Sequence, residues 1–121
     1  MSMLEAKETA IPEMVQWAKR NGFVGIKANM EGYELPTAFS RPDDELPYVP
    51  DVTALKAGRK NYLELALKPD NPERTIRKWK LLSTLAAAKQ GRLLLFAPKG
   101  HKAFAEKAVR ERQLNARVIS F

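Results

Sequence analysis

Apolar residues fall at helical spacing in three stretches of the chain, and alternate or run together over strand lengths in five others. Ile11, Met14, Val15 and Ala18 stand at i, i+3, i+4 and i+7, the stripe of a helix over residues 11–20. Thr9 offers a cap, Pro12 suits the first turn, and Asn21-Gly22 supplies the stop. Residues 23–30 read as a strand. Residues 31–50 hold Pro36, Pro42, Pro47 and Pro50 and the acidic cluster Asp43, Asp44 and Glu45. Proline removes a ladder donor, so this segment is predicted to be extended or looped at a sheet edge.

Residues 51–55 form a short predicted strand and residues 56–60 the turn of a hairpin. Residues 61–68 return, with Tyr62, Glu64, Ala66 and Lys68 on one face and Leu63, Leu65 and Leu67 on the other. Asn71 can cap the next helix, Pro72 fits its first position, and Glu73 complements its N-terminus. Ile76, Trp79, Leu82, Leu85 and Ala86 carry its apolar stripe until Gly91 ends it. Residues 92–97 are a continuous apolar strand of the kind buried on both faces of a parallel sheet. A further amphipathic helix spans about residues 101–114, and residues 117–121 close as a strand. The order α-β-β-β-α-β-α-β predicts an α/β chain, with a mixed sheet against which the helices pack.

A length of 121 residues suits one domain, 1–121, and 45% apolar with 29% charged residues suits an ordinary globular chain. The absence of cysteine excludes disulfides and thiolate metal sites and fits a reducing cytoplasm. No apolar run is long enough to cross a membrane, and the first ten residues lack the apolar stretch of a signal peptide. Charge changes the picture more. Residues 1–50 carry five Lys and Arg against eight Asp and Glu, whereas residues 51–121 carry sixteen against six. A basic half attracts polyanions, which makes nucleic acid the first partner to consider, with a solvated face as the plain alternative.

Asp51 follows Pro50 at the start of one strand, and Glu64 lies on the partnered strand of the hairpin. Two carboxylates held together repel unless protonated or bridged by a cation, and two such oxygens with open positions suit Mg²⁺ or Mn²⁺. The segments Pro50-Asp51-Val52-Thr53-Ala54 and Tyr62-Leu63-Glu64-Leu65 resemble the active strands of the PD-(D/E)xK nuclease superfamily, especially its small, Holliday-junction-resolvase-like members. The resemblance covers residues 11–97 and implies a restriction-endonuclease-like α-β-β-β-α-β core, with the last helix and strand as an extension. It implies Asp51 and Glu64 as catalytic metal ligands, with Glu13 of the first helix as a candidate third. It also implies Mg²⁺-dependent hydrolysis of phosphodiesters, DNA as the partner, and a homodimer. The family's lysine is expected two residues after Glu64, where this chain has Ala66. Lys68 shares the face of Glu64 but lies about 6.5 Å further along the strand. Placing Ala66 in the acidic position restores Lys68 and loses a ligand. Lys78 or Arg77 of the following helix could supply the charge instead.

The plain readings stand beside these. Asp51 can start a strand by turn chemistry alone, and Glu64 can pair with Lys68 or Lys27. Glu13 suits a solvated first turn, and the lone His101 suits a helix start. Arg74, Arg77, Lys78 and Lys80 form a basic helix face able to meet a phosphate backbone or simply to face water. Lys99, Lys102, Lys107, Arg110 and Arg112 add a second basic surface. Three functions follow: a nuclease-like protein acting on DNA, a catalytically inactive relative that binds nucleic acid or a protein, and an interaction module. The strand at residues 117–121 offers an edge for pairing.

Overall fold

The computed structural model describes residues 2–121. Three helices, α1 (Met3–Arg20), α2 (Pro72–Ala88) and α3 (Lys102–Arg112), pack on five strands. The strands are β1 (Val24–Ala28), β2 (Val52–Lys56), β3 (Arg59–Leu65), β4 (Leu93–Ala97) and β5 (Ala116–Ser120). They form one α+β mixed sheet in the order β1-β2-β3-β4-β5. The first three are antiparallel neighbours, and β3, β4 and β5 run parallel. The alternation along β3 sorts the core into two layers. Leu63 and Leu65 join the cluster under α1 with Met14, Val15 and Phe96. Tyr62 and Ala66 join the opposite cluster with Trp79, Leu82 and Ala105 under α2 and α3.

The element order is the one predicted, but α1 is eight residues longer than its apolar stripe suggests. Its cap is Ser2, whose hydroxyl accepts from Glu5 N at 3.1 Å while the Glu5 side chain reaches back, a capping box. Thr9 is therefore not the cap, and Pro12 lies inside the helix, where it leaves the carbonyl of Glu8 without its usual donor. The extra two turns carry Lys7 along the line of Ala10, Ile11 and Met14 to the edge of the sheet. Asn71 caps α2 as predicted, accepting from Glu73 N at 3.2 Å.

The hairpin turn is the two residues Ala57-Gly58, both at positive φ (52° and 75°). That geometry belongs to the turn whose twist matches the strands it joins. Gly91 answers a different demand: a Cβ there would stand 1.8 Å from the Lys60 carbonyl oxygen, so only glycine lets the end of α2 pass the β3 backbone. The proline-rich segment starts along the β1 edge, where Ala28 N donates to Glu34 O at 3.0 Å. It then leaves that edge and folds over α2. Phe39 and Tyr48 bridge to each other, and Phe39 packs edge-on against Tyr62.

Candidate functional site

The β2–β3 ladder ends at Val52↔Leu63, and just beyond it Asp51 and Glu64 face each other. Side chains take over from the ladder there. Asp51 N donates to Glu64 Oε2 at 2.6 Å, and Leu65 N donates to Asp51 Oδ2 at 2.9 Å. Each carboxylate thus holds the other strand's backbone. Both are buried, Asp51 at 0% and Glu64 at 2% exposure. Burying two anions this close is unfavourable unless cations meet them. Two lysines do. Lys7 Nζ of α1 lies 2.8 Å from Asp51 Oδ1, and Lys78 Nζ of α2 lies 2.9 Å from Glu64 Oε1. The two lysines come from helices packed on opposite faces of the sheet, and both line the same cleft.

Burial is the main influence pushing the Glu64 carboxyl above its ordinary range, and the Asp51 charge adds to it; Lys78 and Lys7 oppose both. For Lys7 burial acts downward, yet the attraction of Asp51 and Glu64 outweighs it and holds the ammonium above its usual value. The four groups form a charge-balanced cluster, of which Lys7, Glu64 and Lys78 line a cleft of about 490 Å³ while Asp51 is buried. The proline-rich segment supplies the facing wall through Pro47, Tyr48 and Val49.

Of the residues singled out in the sequence, Asp51 and Glu64 are brought together and Lys78 joins them. Lys68 is not: β3 ends at Leu65, and Lys68 is exposed, its backbone N–H donating to His101 Nδ1 at 3.0 Å. The strand needed to carry Lys68 beside Glu64 stops too early. Nor does Glu64 pair with Lys27, which meets Glu34 at 2.8 Å. Glu13 is exposed and lines other clefts. Six residues beyond Lys7 on the same helix, it is turned about 120° away and displaced about 9 Å along the axis. Lys7 lies outside the helix that a start at Thr9 allows, so the sequence pattern misses it; its signal is the spacing Met3, Lys7, Ala10, Met14, which continues the buried stripe.

The basic face of α2 is largely spoken for. Arg74 lies over the Tyr48 ring at 4.2 Å, donates to Asp44 Oδ1 at 2.8 Å, and reaches the Pro47 carbonyl at 3.2 Å. Arg77 stands 3.7 Å from Asp44 Oδ2, and Tyr48 donates its hydroxyl to that same oxygen. The Tyr48 hydrogen bond, then Arg74, Arg77 and Arg41, hold the Asp44 carboxyl below its usual range against a smaller opposing effect of burial. Lys80 reaches the Arg112 carbonyl at 3.5 Å. Arg74 and Arg77 pin the proline-rich segment to α2.

Whether the site suits a divalent cation turns on Asp51 Oδ1. It is fully buried, and no hydrogen bond of good geometry reaches it; the Lys7 ammonium is close but poorly aligned. That oxygen and Glu64 Oε1 are hard donors fit for Mg²⁺ or Mn²⁺, which need only one or two carboxylates when waters and phosphate oxygens complete the shell. Among the described residues no group of three or more His, Cys, Asp or Glu converges, so no third protein ligand joins them. Among the described residues no helix is long and apolar enough to cross a membrane. Compared with family models, curated proteins and solved structures, the chain gives no significant match.

Proposed function

We propose that the chain is a nuclease-like protein that hydrolyses phosphodiesters in DNA, with Asp51 and Glu64 as the ligands of Mg²⁺ or Mn²⁺ and Lys78 as the site's fixed cation. The observation that carries this reading is the convergence of buried Asp51 and Glu64 across the hairpin, with Lys78 2.9 Å from Glu64. The strand order and the helices before β1 and after β3 are consistent with the restriction-endonuclease-like core that the sequence resembles. When bound, the metal would polarise a phosphate oxygen and lower the pKa of a water. Asp51 and Glu64 hold their oxygens fixed through Leu65 N and Asp51 N, so little reorganisation is left at the moment of reaction. Lys78 is the group able to steady negative charge developing on a phosphate, a duty for which the sequence offers Lys68, with Lys78 or Arg77 as the alternatives. A homodimer formed along the free edge of β5 belongs to the same reading.

The test is divalent-dependent cleavage of branched and linear DNA. Asp51→Asn and Lys78→Met should each lower the rate by about 10² or more, whereas Lys68→Ala should leave it unchanged. Cleavage that survives Asp51→Asn contradicts the proposal.

One observation favours a second reading, a catalytically inactive relative that keeps the fold and binds nucleic acid or a protein. Lys7 stands at the oxygen a metal would take, 2.8 Å from Asp51 Oδ1, so the buried acids are neutralised without any metal. The two readings part at Lys7→Met. If the native chain binds Mn²⁺ the first holds; if only the variant does, Lys7 has displaced the metal for good.

A further inference from the structure

At the opposite end of β3 from Glu64 lies a groove of about 590 Å³ between the C-terminal end of α1 and the ends of β2, β3, β4 and β5. Lys56, Arg59, Arg92 and Arg117 line it, all four exposed, and no Asp or Glu does. Among the described residues none of the four takes part in an ion pair. The sheet register explains how three distant segments meet. Lys56 pairs with Arg59 across the hairpin, and Arg117 sits beside Leu94, two residues on from Arg92.

The groove is built rather than merely charged. Asn61, only 9% exposed, donates through Nδ2 to the Arg59 carbonyl at 3.1 Å and accepts from Arg92 N at 2.9 Å. One buried amide therefore fixes the backbones of two arginines, one in β3 and one just before β4. Gly91 lets them close up, and Asn115 Nδ2 holds the Gly91 carbonyl at 2.9 Å. Cations at helix C-termini also satisfy the helix dipole, and the ends of α1 and α2 open here. Two such ends supply about half a negative charge each, far short of four full positive ones. A solvated basic face would not need its backbones clamped by a buried side chain.

The geometry points to a binding site for the sugar-phosphate backbone of nucleic acid in this groove, separate from the Asp51–Glu64 cleft. It rests on the proposal that nucleic acid is the partner, and it names where that polyanion docks. Guanidinium groups on a fixed frame suit phosphate oxygens, and nothing in the groove encodes base readout.

The experiment is anisotropy of a fluorescein-labelled DNA duplex titrated with the full chain, without divalent ions, over a range of salt. Replacing Arg59, Arg92 and Arg117 by alanine should weaken binding at least about tenfold. The same replacement should flatten the slope of log K against log salt by about 0.9 for each phosphate no longer neutralised. Lys102→Ala, Lys107→Ala and Arg110→Ala together remove the same charge from α3 and should change affinity no more than about twofold. Charge reversal at Arg117 alone, Arg117→Glu, gives a second reading at one exposed side chain. Equal losses in the two triple variants would mean that only net charge matters and would overturn the site. So would no binding by the native chain at low salt, an outcome that leaves the metal-dependent reading to its own test at Asp51.

Discussion

The two ends of β3 carry cations in opposite circumstances. At the Glu64 end, Lys7 and Lys78 each stand within 3 Å of a buried carboxylate, and Arg74 and Arg77 converge on Asp44. At the Arg59 end, four exposed cations share a groove without an acid. Local runs of positive residues therefore mislead in this chain. The run Arg74, Arg77 and Lys78 is spent on internal partners, whereas the four unpaired charges of the groove come from three segments. A cation's role is set by what the fold puts beside it, since a buried pair is held by its partner while an exposed unpaired charge stays available to a ligand.

The sharpest way to break the comparison is Lys78→Met. It leaves Glu64 buried without its cation and should cost about 3 kcal/mol in denaturant unfolding. Adding Glu64→Leu should restore most of that loss; a double variant as unstable as the single one would mean that Lys78 acts through packing. Gly91→Ala comes next. Its Cβ meets the Lys60 carbonyl, so about 1–3 kcal/mol of stability should be lost together with DNA affinity, while metal binding at the far end persists.

Titration distinguishes the two kinds of acid. The Glu64 carboxyl is raised above 4.5, so the folded chain binds the extra proton and stability falls as pH rises from 4.5 through the folded value. Asp44 is held below 3.8, so its contribution is present above 3.8 and is lost as pH falls through its folded value. The Lys7 contribution is present below 10.5 and is lost as pH rises through its raised folded value. Glu64→Gln should flatten the first of these slopes in urea midpoints measured across pH and leave the second in place. The smallest effect is a control. Ala57→Gly relieves a left-handed alanine and should add about 1 kcal/mol without touching metal binding at the far end.

Much of this is legible in the chain itself. Alternation along residues 61–65 predicts the two core layers, Asn71-Pro72-Glu73 marks the start of α2, and a glutamate among leucines marks the site. The start of α1 is obscured because Pro12 carries a strong first-turn signal, which outweighs the capping box at Ser2 and Glu5. With that start goes Lys7. The position of Lys68 is not legible because where a strand stops depends on its neighbours, and the last backbone bond from this segment to β4 is Ala66 N to Phe96 O at 2.8 Å. The arginine groove is invisible for a different reason: Lys56, Arg59, Arg92 and Arg117 become neighbours only through the strand order.

The measurement that bears most directly on the central claim is calorimetric titration of Mn²⁺ into the native chain, Asp51→Asn and Glu64→Gln. The account predicts binding by the native chain that both substitutions abolish, since each removes one of the two negative charges available to a cation. A native chain that takes up no metal, or binding that survives both substitutions, would contradict it.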